Sequence, residues 1–126
     1  MNIEDLREFC LSVKGASESF PFFDDRILVF KVMDKMFAYV NIEPKDAQFR
    51  VSMKCFPERS VELREKYEGV VNGQHTKTLT WNSIYLESDV PDDLIKELIM
   101  HSVEEVIKKL PKKRQAEYAV MEDKNI

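Results

Sequence analysis

Apolar positions along this chain change from helical spacing to strand spacing and back again. Ile3, Leu6, Cys10 and Val13 fall on one helical stripe. Asn2 is placed to cap its start, Asp5 lies in the acidic-favoured first turn, and Gly15 stands where a left-handed C-terminal cap belongs. From Ser17 to Arg26 the period is lost and the chain reads as a connector centred on Phe20-Pro21-Phe22-Phe23. Small domains commonly bury loop aromatics, so the cluster reads as a plug over the core, the alternative being a lid over a ligand.

Two branched and aromatic runs follow, Ile27 to Met33 and Met36 to Ile42, with a tight turn expected at Asp34-Lys35. In a third strand, Gln48 to Lys54, Phe49, Val51 and Met53 alternate with Gln48, Arg50 and Ser52, which predicts one packed and one polar sheet face. Pro57 suits the first turn of a second helix reaching about Tyr67, and Gly69 ends it. Asn72-Gly73 is a turn dipeptide, followed by a polar loop to Thr80 and a strand from Trp81 to Glu87. The apolar phase slips between Leu79/Trp81 and Ile84/Leu86, which predicts a bulge or a late strand start. Trp81 is expected to anchor the sheet to the last helix; the other reading has its ring stacking on a base or ligand.

Pro91 opens the longest helix. Leu94, Ile95, Leu98, Ile99, Val103, Val106, Ile107 and Leu110 share one face, opposite Lys96, Glu97, His101, Glu104, Glu105, Lys108 and Lys109. Pro111 stops or kinks it. The order α-β-β-β-α-β(β)-α predicts an α+β fold in two layers, an antiparallel sheet with helices on one face. The expected domain is 1–113, and 114–126 reads as a weakly ordered tail or short helix.

Composition narrows the function. A chain of 126 residues with 44% hydrophobic and 33% charged positions is sized for one domain with one core. No apolar run approaches the ~20 residues of a membrane span, and the first residues lack a signal-peptide layout, so the expected location is cytoplasmic. Cys10 and Cys55 have no partner spacing; Cys10 falls on a buried stripe, and Cys55 sits at a strand-to-helix junction where partial exposure is expected. His75 and His101 have no ligand-spaced carboxylate or Cys, so neither a metal nor a cofactor is expected. His101 belongs to the solvated helix face. No phosphate loop, dinucleotide fingerprint or nucleophile elbow occurs, and an enzyme is not expected.

A net charge of −4 opposes generic coating of nucleic acid but leaves room for a local basic face. Lys31, Lys35, Arg50, Lys54 and Lys77 gather on the sheet half, with Lys77 and His75 in the polar loop. They read either as a solvated face with edge-protecting lysines or as a phosphate-contacting surface flanked by two hairpin loops.

Five segments in order, Lys54-Cys55-Phe56-Pro57-Glu58, Leu63-Arg64-Glu65-Lys66-Tyr67, His75 ahead of Trp81-Asn82, Val90-Pro91-Asp92 and Leu110-Pro111-Lys112, resemble the MmcQ/YjbR family of small bacterial proteins. The resemblance implies an α-β(3)-α-β(2)-α fold similar to secretion chaperones, with a short extra strand between Val70 and His75. It also implies non-enzymatic binding of duplex DNA in a double-wing mode. Lys31, Lys35, Arg50, Lys54, His75 and Lys77 would then be the contacts, and the 34–35 turn and 72–80 loop the wings. The loop departs from the family pattern, with Thr80 in place of a second His and the lysine one position early. The alternative is a protein-interaction or chaperone-like module using Phe20, Phe22 and Phe23. A monomer is expected.

Overall fold

The computed structural model describes residues 1–23, 25–73 and 80–123. Helix α1 spans Ile3–Ser12, and the Asn2 carboxamide accepts the Asp5 N–H at 2.7 Å, as its sequence predicts. Leu6 and Cys10 are fully buried, and burial pushes the Cys10 thiol up to about 12. Gly15 takes φ +74 in the turn that follows.

The expected connector instead begins with a strand, β1 (Ser17–Ser19), which has no strand-like side chains of its own. It is made by its neighbour β2 (Ile27–Val32), against which Ser17 pairs with Lys31 and Ser19 with Val29. β1 therefore forms a sheet edge. Phe20, Phe22 and Phe23 consequently stand exposed on the surface and plug nothing.

β2 turns into β3 (Lys35–Asn41) through Met33-Asp34, one residue earlier than expected. Both take left-handed φ, 50° and 65°, which matches the right-handed twist of a two-residue hairpin. Lys35 is thus the first residue of a strand, opposite Val32, and not part of the tip. Then come β4 (Arg50–Lys54), α2 (Pro57–Lys66), β5 (Val70–Asn72), β6 (Trp81–Tyr85), α3 (Asp92–Lys108) and α4 (Lys112–Ala119). β5 is the short strand implied by the family resemblance. The sheet order is β1-β2-β3-β4-β6-β5, every pairing antiparallel.

Leu28, Phe30, Ala38, Val40, Val51, Met53 and Ile84 share a buried core with Leu6 and Cys10 of α1 and Ile95, Leu98 and Ile99 of α3. A second, smaller cluster contains Ile27, Val29 and Tyr39, with Met36 and Trp81 packed against it. Alternation along β6 puts Ile84 in the main core and Trp81 on the opposite face. Trp81 therefore does not anchor the last helix. It is half-buried, with its ring 5.8 Å from that of Tyr39. α3 is tied to the sheet by a buried hydroxyl instead: Ser102 Oγ donates to the Phe37 carbonyl at 2.6 Å and accepts the Lys54 N–H at 2.9 Å. Among the described residues no helix is long and apolar enough to cross a membrane.

Candidate nucleic-acid interface

The β2–β3 hairpin tip, the end of β4, the end of β5 and the start of β6 all lie at one end of the sheet. The ladder fixes this, with Val32 opposite Lys35, Lys54 opposite Trp81 and Asn72 opposite Asn82. The described flanks of both expected wings therefore lie at the same end. The stem of the second is anchored there by Gly73 N–H to the Trp81 carbonyl, 3.0 Å, and Cys55 N–H to the Thr80 carbonyl, 2.8 Å. His75 and Lys77 lie outside the described residues.

Lys31, Lys35 and Lys54 all lie at this end, on β2, β3 and β4. Lys35 is exposed, and Lys31 and Lys54 are half-buried. Arg50 does not join them. It opens β4 opposite Tyr85, four residues and roughly 13 Å from Lys54 at strand rise. There Asp46 holds it at 2.7 Å, the Tyr85 hydroxyl accepts from it at 3.0 Å, and the guanidinium lies 4.8 Å from the Tyr85 ring centre. A strand displays alternate residues on one face regardless of which end they occupy, so the sequence pattern alone could not separate Arg50 from Lys54.

The sequence reading also missed a second source of cations. α3 ends and α4 begins at this same end, bringing Lys108, Lys109, Lys112, Lys113 and Arg114. Arg114 donates to the Met33 carbonyl at 3.3 Å and lies 3.7 Å from Asp34, which docks α4 on the hairpin tip. Lys54 is close enough to Lys109 for the two charges to interact. Burial first and the Lys109 ammonium second hold the Lys54 amine below the ordinary lysine value, with the Glu105 carboxylate partly opposing them. Carboxylates pair with Lys108 (Glu105) and Arg114 (Asp34, Glu117). Among the described residues no ion pair engages Lys31, Lys35, Lys109, Lys112 or Lys113.

Carboxylates also stand at the other end of the sheet. Glu43, Asp46, Glu87, Asp89, Asp92 and Asp93 surround the opposite end, where β3 leaves, β6 finishes and α3 begins.

Cys55, expected to be partly exposed, is 4% exposed because β4 leads it under α2, and burial pushes its thiol up. His101 is half-buried, and its Nε2 accepts the Phe56 N–H at 3.3 Å, a bond that satisfies a helix N-terminus where a solvated histidine was expected. Among the described residues no three His, Cys, Asp or Glu side chains gather closely enough to hold a metal ion.

The sequence model of the family YjbR matches residues 11–104. The uncharacterized protein YjbR of Escherichia coli K12, like that of strain O157:H7, is 30% identical over 116 residues, which cover 91% of this chain and 95% of the relative. The crystal structure of a Deinococcus radiodurans protein of the domain DUF419 superposes with a TM-score of 0.83 at 33% identity, covering 98% of this chain and 92% of that one. A Pseudomonas syringae protein shares the fold, with a TM-score of 0.70 at 20% identity over 81% of this chain and 96% of its own.

Proposed function

The chain belongs to the YjbR family, and we propose that it is a non-enzymatic protein that binds duplex DNA by the cationic end of its sheet. The observation that carries this reading is the convergence of Lys31, Lys35 and Lys54 with the cations of 108–114 around two loop stems. Phosphates attract such a group through the release of condensed counterions. The Lys54–Lys109 pair is the point where a phosphate gains most, because it relieves a like-charge repulsion already present in the free protein. The contact set differs from the sequence expectation by losing Arg50 and gaining the α3–α4 junction.

The test is fluorescence anisotropy with a labelled duplex at several salt concentrations. Binding that weakens linearly on a log–log plot, with a slope reduced by about one for each contact lysine removed, is the expected result. No binding at low salt sinks the proposal.

Exposed Phe20, Phe22 and Phe23, immediately after the edge strand β1, favour a second reading as a protein-interaction module. Replacing all three with Ser would then abolish a partner interaction while leaving duplex affinity unchanged.

A further inference from the structure

We infer that Arg64 of α2 is the positioning residue for the β5–β6 stem, and that α2 serves as its splint; the functional part of this inference rests on the reading above. Asn72 and Asn82 face each other in the β5–β6 ladder, on the two strands whose connector is the loop. Their side chains turn carbonyl oxygens toward the same helix, and two acceptors side by side repel unless a donor stands between them. Arg64 supplies it: Nε donates to Asn82 Oδ1 at 2.7 Å, Nη1 to Asn72 Oδ1, and Nη2 to the Trp81 carbonyl at 3.1 Å. One planar fork thus grips the last residue of β5 and the first two of β6.

The grip is itself held. Asn82 is 1% exposed, and its Nδ2 donates to the buried Ser60 Oγ at 3.0 Å, so α2 meets β6 at two points one helical turn apart. β5 has only three residues and, among the described residues, no neighbour beyond it in the sheet. Its register against β6 depends on this clamp more than on its own short ladder. A lysine offers a point charge without the fork and cannot reach all three acceptors.

The experiment compares Arg64→Ala, Arg64→Lys and the milder Asn72→Ala in the full chain. Native-state hydrogen exchange is followed at the Gly73 amide, which closes the last β5–β6 rung, with the Ala38 amide as a global control. Duplex anisotropy is measured on the same samples. Both Arg64 variants are expected to speed Gly73 exchange about tenfold relative to the control, with Asn72→Ala giving a smaller increase. Duplex affinity should fall with them while the salt slope stays within one contact of the parent, because position is lost and not a phosphate contact. Unchanged Gly73 exchange in both Arg64 variants overturns the inference. So does full recovery of duplex affinity by Arg64→Lys, which would make Arg64 a charge contact. Faster Gly73 exchange in a chain whose parent never binds duplex upholds the positioning role and removes the proposed function alone.

Discussion

Replacing Ser102 with Ala removes a hydroxyl that stands in for a missing rung of the sheet. The β3–β4 ladder runs in register through Ala38 opposite Met53, so Phe37 and Lys54 are next to pair. They do so through Ser102, whose Oγ accepts the Lys54 N–H and donates to the Phe37 carbonyl. Ser102 is 0% exposed, so water has no access to replace it from outside. The alanine variant strands one backbone donor and one acceptor, each worth about 1–3 kcal/mol when left unsatisfied. Part is recovered if the strands close, giving an expected loss of about 2–4 kcal/mol. Urea denaturation followed by Trp81 fluorescence measures it as a lower midpoint at constant slope. The same variant should expose the Lys54 amide to exchange and let α3 shift over the sheet, separating Lys109 from Lys54. A loss under about 0.5 kcal/mol with the Lys54 amide still protected would refute the reasoning, because it would mean that the rung closes directly without strain.

Trp81→Ala should cost about 2 kcal/mol, below the usual 3–5 for a fully buried Trp, because the ring is half-buried against Tyr39; denaturation and intermediate quenching by acrylamide check this. Lys109→Met should raise the Lys54 amine toward its ordinary value without fully restoring it, since burial is the larger cause; an NMR titration of the Lys54 Cε reads it, and no change removes Lys109 as a neighbour. Asp89 accepts the Glu68 and Gly69 N–H groups at 2.8 Å each, and those bonds, Gly69 first, hold its carboxyl below the ordinary value. Its contribution to stability is therefore complete above the ordinary carboxylate range and lost as pH falls through the depressed value. Asp89→Asn should flatten the acid limb of the stability profile, and an unchanged profile would contradict that.

Helices α1 and α3 were legible because each carries its own signal: the Asn2 cap with its stripe, and a long apolar face after Pro91. The hairpin frame was not, because Met33 occupies a left-handed position without a Gly or Asn to announce it. β1 was invisible for a different reason: Ser17-Glu18-Ser19 is a strand only because β2 offers it an edge. For Trp81 the signal was present and misread. It lies three residues from Ile84, an odd spacing that places the two on opposite sheet faces. The cations of 108–114 were equally plain in sequence. What links them to Lys54 is α3 crossing the sheet and ending beside β4, and only the tertiary fold supplies that.

Heteronuclear NMR of the full chain titrated with a short duplex tests the central claim most directly. Salt-sensitive shifts are expected at one end of the sheet alone: Lys31 to Lys35, Lys54, the stems at Gly73 and Thr80, and Lys108 to Arg114, with Arg50 and Asp46 unmoved. Shifts centred on Arg50 or on Phe20 to Phe23, or a spectrum that duplex leaves unchanged at low salt, would contradict it.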